Sequence, residues 1–198
     1  MKQSNPIGIP SGSYGAGNKI MKQGFTLMEA IVAIFLLTVG IVGVLSLVTQ
    51  TISSATFSKD KLIAAYLAQE GIEIVRNIRD TNWIEAETYV NSWDEGLTGN
   101  CLGDVDNCET SSGCIVDYNH SYGPSMEDPN LPVYTGQYLN IDAAGFYSYS
   151  GGTQSKFQRK IVTESGGTDI LRICTLVQWQ EKGKPYSVPA QENLYNWK

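Results

Sequence analysis

Residues Phe25 to Val48 read FTLMEAIVAIFLLTVGIVGVLSLV, a run of 24 interrupted only by Glu29, two threonines and one serine. Written as a helix, such a run covers the roughly 30 Å hydrocarbon core of a bilayer, for which about 20 residues at 1.5 Å each suffice. The rest of the chain must therefore fold as an attachment to a membrane-length segment. A plain signal anchor is the simplest reading, and two details go beyond it. No A-x-A-like cleavage site follows Val48. Glu29 stands only five residues into the run, where an acid in hydrocarbon costs on the order of 3 kcal/mol. An expensive residue in that place calls for a partner.

Charge divides the chain in the same way. Lys plus Arg total 14 against 20 Asp plus Glu, a net of −6, and the charged fraction is 17%, below the quarter or so that is usual. The leader carries Lys2, Lys19 and Lys22 and no acid; without those three the remainder is 11 against 20, a net of −9. No charge falls between Glu29 and Lys59, and from Thr81 to Ser155 there are 11 acids and no base. A basic leader, an apolar segment and an acidic body argue against a broad nucleic-acid-binding surface. At 198 residues there is room for one ordinary domain besides the apolar segment.

The string Lys22-Gln23-Gly24-Phe25-Thr26-Leu27-Met28-Glu29-Ala30 resembles the processing signal of type IV prepilins and type II secretion pseudopilins. That resemblance implies cleavage by a prepilin peptidase after Gly24, N-methylation of Phe25 as the new amino terminus, and Glu29 as the acid five positions into the mature chain. Met28 stands where the family usually has Ile or Val. Tyr66 to Trp83, YLAQEGIEIVRNIRDTNW, is similar to the long-helix end of minor pilins of the pilus-modification type, and Thr175 to Trp179 with Asn193 to Lys198 resemble that group's closing strands. The likeness covers residues 22 to 80 and, more weakly, 155 to 198. It implies an α+β, pilin-like fold, with a long helix on a small antiparallel head.

Physical logic runs the same way. A basic leader is retained in the cytoplasm, so the apolar helix inserts with its carboxyl end outward. Gly24 offers a peptidase an unhindered backbone. After the cut, the new amine of one subunit and Glu29 of another offset each other's desolvation. The Gly- and Pro-containing leader reads as disordered, and Met21 is an alternative start to Met1.

The sequence divides into a leader (1–24), a membrane or filament-core helix (25–48), its amphipathic continuation (49–80), an irregular acidic loop region (81–154) and an antiparallel sheet (155–198). In the continuation Ile63, Leu67, Ile74 and Ile78 form an apolar stripe about Gly71, opposite Gln69, Glu73, Arg76 and Asp80. A continuous helix to about Arg79 extends roughly 80 Å. Gly40, Gly43 and Thr49 to Ser58 are the places where it is expected to bend or melt. In the sheet, Phe157 to Thr163 pairs with a strand whose Leu171, Ile173, Val177 and Trp179 face one way and Arg172, Cys174 and Gln178 the other. Turns fall at Glu164 to Thr168 and at Lys182 to Pro185, before a short strand Tyr186 to Val188. Trp179 and Trp197 are expected in the core.

Cys101, Cys108, Cys114 and Cys174 admit three pairings. In an exported chain disulfides are favoured. The preferred reading closes a short loop among the first three and joins the remaining one to Cys174. A zinc site is the rival, without the tight C-x2-4-C knuckle. Asp104, Asp106 and Glu109 are a weak Ca2+ candidate, a fragment of an EF-hand pattern, against the reading of a solvated acidic loop. His120 is alone, with no candidate triad, and no phosphate loop or metal signature appears. No enzyme activity and no cofactor are expected.

Two functions fit. One is a minor pilin or pseudopilin subunit of a filament serving adhesion, motility, DNA uptake or secretion. Its partners would be other pilin subunits, the prepilin peptidase and the pilus or secretion assembly platform; nucleic acid is not indicated. It would first sit in the cytoplasmic membrane as a single pass, amino terminus in the cytoplasm, and then in an extracellular or periplasmic filament. The other is a single-span anchored surface binding protein or adhesin that does not polymerise.

Overall fold

The computed structural model describes residues 24–85, 92–119 and 131–197. Leader residues 1–23, the alternative start Met21 and His120 lie outside the described residues. The architecture is α+β. One helix, α1 (Leu27–Glu85), precedes five strands, β1 (Tyr138–Ile141), β2 (Tyr147–Ser148), β3 (Thr153–Ser165), β4 (Ile170–Glu181) and β5 (Lys184–Tyr195). The strands form one antiparallel sheet in the order β2-β1-β3-β4-β5. The chain divides into two compact units, Met1–Thr49 and Gln50–Lys198.

In the first unit, the apolar stretch of α1 buries nothing against its own chain: its side chains are exposed throughout. Phe35, Leu36 and Leu37 each remain about two-thirds exposed. A helix apolar all round needs lipid or other helices to cover it, and this one is long and apolar enough to cross a membrane. Its hydroxyls are turned inward: Thr38 donates to the Phe35 carbonyl at 2.8 Å and Thr49 to that of Ser46 at 2.9 Å, which removes polar groups from the lateral surface. Gly40 and Gly43 lie within uninterrupted helix. The threonine- and serine-rich stretch stays helical too, with Thr56 bonded back to Ile52 at 3.0 Å, so the expected melting at these places is not seen.

In the second unit, α1 lies on the sheet through Ala64, Leu67, Ala68, Gly71, Ile72, Val75 and Ile78, a stripe with spacings of three and four. Leu67 and Ile78 belong to it as read from the sequence, whereas Ile63 and Ile74 sit at its margins, partly buried. Small residues hold the centre because the sheet comes close. A Cβ added at Gly71 would stand 2.7 Å from Thr175 Cγ2 and 3.0 Å from Ile161 Cδ1. The helix also outlasts its expected end near Arg79. Trp83 is buried, and the Asn82 amide donates to the carbonyls of Trp93 at 3.1 Å and Glu95 at 2.9 Å.

The sheet begins earlier than the pattern suggested, with β1 and β2 inside the stretch expected to be irregular. β1 covers the first half of the free edge of β3. The second half is covered by the cysteine loop: Gly103 and Cys114 donate to the carbonyls of Thr163 and Ile161 at 2.9 Å each, and Thr163 and Ile161 donate back to those of Cys101 and Cys114. β4 and β5 are joined by Lys182-Gly183 with φ of 50° and 77°, the type I′ geometry of a two-residue hairpin. β5 runs 12 residues rather than three. Counting from the closing pair Glu181↔Lys184, the prolines at 185 and 189 take positions whose missing N–H faces the open edge, so neither interrupts the ladder.

One sequence expectation about sheet polarity is overturned. Cys174 lies on the face read as polar, yet it is fully buried with Val105, Cys108, Val162 and Leu176 in a second small core. The loop covers that face, which a two-sided strand pattern cannot reveal. Trp179 is buried among Phe57, Phe157 and Tyr186. Trp197, expected in the core, is 72% exposed and meets the ring of Trp83 edge-on at 4.3 Å, because β5 has already ended at Tyr195.

Gly71→Ala tests the close approach. Helix propensity favours alanine by up to about 1 kcal/mol, but overpacking against buried Thr175 costs about 1–3 kcal/mol, so a net loss is expected in urea unfolding of the detergent-solubilised chain. Thr175→Ala in the same background should recover part of it. Gly40→Ala, with no atom within 4 Å of the new methyl, should show no loss. Equal midpoints for Gly71→Ala and Gly40→Ala would contradict the geometry.

Candidate processing and assembly site

Gly24, Phe25 and Thr26 precede the helix and take no regular structure. Among the described residues no atom lies within 4 Å of a Cβ placed on Gly24, and Phe25 is 84% exposed. Thr26 is the helix cap: its Oγ1 accepts from the Glu29 backbone N–H at 3.2 Å, and its carbonyl accepts from Ala30 N–H at 3.1 Å. Thr26-Leu27-Met28-Glu29 therefore has the spacing of a capping box and the Thr26 half of its bonding, a capping role for Thr26 that the sequence reading missed although the T-x-x-E spacing points to it. An acid in the first turn gains at most about 1 kcal/mol from the helix dipole. That does not offset the roughly 3 kcal/mol of placing it in hydrocarbon, so the exposed Glu29 carboxylate still lacks full compensation from its own helix.

The four cysteines form two disulfides, Cys101–Cys114 and Cys108–Cys174, with Cα separations of 4.6 and 6.2 Å and no free thiol. The first closes the loop on itself at the β3 edge, and the second fastens it to central β4. No thiolate is left for zinc. The acids Asp104, Asp106 and Glu109 do not converge either. Asp104 accepts from the backbone N–H of Asp106 and Asn107 at 2.9 and 3.1 Å and from the Asn107 side chain. The Asn107 amide, then its backbone N–H, holds that carboxyl below its ordinary value. Asp106 pairs with Arg172 at 2.6 Å, and Glu109 accepts from Ser187 Oγ at 2.5 Å. Each acid of the weak Ca2+ candidate is thus committed to a different protein partner, and among the described residues no group of three or more His, Cys, Asp or Glu side chains could hold a metal.

Buried charge, not anticipated from the sequence, organises the head. Arg159 is fully buried, since the alternation Phe157, Arg159, Ile161 puts it on the helix side of β3. Its guanidinium donates to the carbonyls of Val116 at 2.8 Å and Leu67 at 3.3 Å, with Glu70 at 3.4 Å. The Tyr149 hydroxyl donates to the Arg159 carbonyl at 2.7 Å, and burial pushes that phenol up to about 12. Near the other end of β3, Lys156 pairs with buried Asp60 of α1 and, at 3.2 Å, with Glu181 of β4. On the outer face, where the loop stops, a groove of about 450 Å³ is lined by Glu109, Tyr138, Gln158, Gln178, Gln180 and Ser187. Gln158, Gln178 and Ser187 are consecutive cross-strand neighbours there.

Comparison with protein-family models, curated proteins and solved structures finds no match to this chain.

Tyr149 predicts the alkaline limit of the fold. A phenol whose folded pKa is near 12, above the ordinary 10 or so, contributes stability that is complete below pH 10 and is lost as pH rises toward 12, by about 2–3 kcal/mol in full. Tyr149→Phe should lose about 1 kcal/mol at pH 7 with its hydrogen bond and show a shallower decline between pH 9.5 and 11 in urea unfolding. A decline as steep as that of the wild type would assign the limit elsewhere.

Proposed function

We propose that this chain is a minor pilin or pseudopilin, cut after Gly24 and assembled through its apolar helix into a type IV pilus-like filament. The observation that carries the reading is the junction itself. An exposed, non-helical Gly24-Phe25-Thr26 leads directly into a capped helix whose apolar surface is wholly unburied and whose first turn holds Glu29. A peptidase needs a reachable peptide bond, and Phe25 is exposed outside the helix at this junction, while a filament core needs an uncovered apolar helix. The α+β head and its two disulfides suit an oxidising compartment outside the cytoplasm. On this reading the protein waits in the cytoplasmic membrane, meets a prepilin peptidase and an assembly platform, and ends in an extracellular or periplasmic filament. No catalytic role is assigned to it.

A second reading is a single-span anchored binding protein that does not polymerise. It draws on the polar groove of the sheet face. The mature amino terminus separates the two: a chain beginning at methylated Phe25 supports the first, and an uncut leader supports the second.

Because open space surrounds Gly24, Gly24→Ser should leave the fold untouched and act on processing alone. Full-length precursor should then accumulate in the membrane fraction on immunoblots. Product of normal mature size from this variant would refute the cleavage assignment.

Glu29→Ala should still be inserted and cut, since removing the charge eases entry into hydrocarbon and the bond from the backbone N–H of residue 29 to Thr26 Oγ1 is kept. Incorporation should fail, because the partner amine is left buried and unpaired, a loss of several kcal/mol. The variant should be present in membranes and at least tenfold depleted from sheared filaments. Normal incorporation would remove the pairing role.

A further inference from the structure

The basic side chains of the head are sorted. Arg76, Arg79, Lys156, Arg159 and Arg172 each pair with at least one carboxylate, and Lys160 is held by the carbonyls of Glu109 and Ser111. The remaining four among the described residues, Lys59, Lys61, Lys182 and Lys184, are all exposed and pair with no acid there. They collect at one end of the head. Lys182, at the tip of the β4–β5 hairpin, donates to Ser53 Oγ of α1, and Lys59 and Lys61 follow Ser53 on α1 by six and eight residues.

Between this tip and the helix lies a recess of about 350 Å³, walled by Gln50, Ser53, Ser54, Lys182 and Lys184, with Phe57 and Tyr186 beneath. Glu181 also reaches it, but its carboxylate is engaged by Lys156 at 3.2 Å. Two ammonium groups, two hydroxyls and an amide are donors suited to a phosphate. Lys182 holds φ at 50°, a left-handed turn position where Asn, Asp or Gly is the ordinary choice. A lysine kept there against backbone preference points to use of its charge.

The recess also has the right depth. Gln50, Ser53 and Ser54 follow Val48, the end of the continuous apolar run, by two to six positions, which along α1 is a rise of about 3–9 Å. The polar headgroup layer on each side of a bilayer is about 5–8 Å thick.

We infer that this recess, through Lys182 and Lys184 in its wall, binds the phosphate headgroups of anionic lipids, seating the head on the membrane before the subunit leaves it. The inference rests on the reading of Phe25 to Val48 as a membrane span. Each lysine held near an anionic surface favours it by a factor of about five, so the seat is strong in the bilayer and is released by salt or by extraction of the helix into a filament.

The test is amide hydrogen exchange of the full chain in nanodiscs of phosphatidylcholine alone or with 30% phosphatidylglycerol, one copy per disc. The span should be protected in both. Exchange at residues 181–186 should be about fivefold slower or more in the anionic discs, and the difference should vanish in 0.5 M NaCl and in Lys182→Gln/Lys184→Gln. Gln-for-Lys changes at the exposed tip spare the core, and unchanged protection of β3 verifies the fold. A protected span with no lipid dependence at the tip overturns the inference alone, whereas an unprotected span in both lipids overturns the membrane reading as well. Slowing reproduced in zwitterionic discs by 10 mM inorganic phosphate assigns the recess to a free anion and overturns the lipid seat. Slowing that follows the number of copies per disc overturns it in favour of a neighbouring subunit.

Discussion

The head depends on how closely α1 approaches the sheet. Gly71 stands over Thr175 with no room for a methyl group between them, and Ala64 and Ala68 continue the same narrow line. That closeness brings the larger side chains on either side into register with β3 and β4: Val75 and Ile78 against Ile161 and Ile173, Leu67 against Phe157 and Val177. It also puts the Leu67 carbonyl within reach of Arg159, so the two terminal nitrogens of a buried guanidinium are engaged by helix, loop and Glu70 together. A buried charge of this kind is costly when it loses a partner. The same close contact therefore fixes both the apolar core and a polar crosslink through it.

The second face of the sheet is closed by different means. The cysteine loop brings little apolar mass, Val105 and the disulfides themselves, and is secured by two covalent bonds and by β-type hydrogen bonding to β3. Disulfides of this kind typically add about 2–4 kcal/mol each by restricting the unfolded chain. A small head with most of its helix surface committed to one side gains its second layer by crosslinking rather than by bulk.

The features legible in the sequence were those carried by period or composition. The long apolar run, the amphipathic stripe near Leu67 and Ile78, and the β3–β4 hairpin with its glycine turn all follow from local pattern. Ile63 and Ile74 misled because a stripe drawn through large residues ignores the small ones that a close contact prefers. Cys174 misled because β4 is covered on both faces, and its alternation says which residues share a face without saying what covers it. Arg159 was hidden by the habit of assigning charge to solvent. Tyr138 to Ser148 was missed because its strands are four and two residues long, too short for a period to show. At the amino terminus Gly24, Phe25 and Glu29 were readable as residues, and the capping role of Thr26 was readable in its T-x-x-E spacing but was overlooked beside the apolar run.

β5 is the outer edge of the sheet, and its prolines bear on how copies of the molecule can meet. An unbroken edge of 12 residues would be a template for sheet growth from chain to chain. Pro185 and Pro189 remove two outward donors, isolating that of Ser187 between them and leaving a run of only three, at Gln191, Asn193 and Tyr195. Gln191 is further occupied through its side chain by the Val105 carbonyl at 3.0 Å. Ribbon-like stacking of heads is thereby discouraged along β5, the longer of the two edge strands of the sheet. Two proline rings thus do for this edge what charge or a covering loop does elsewhere: copies of the head that meet through β5 find too few donors in a row to extend the sheet.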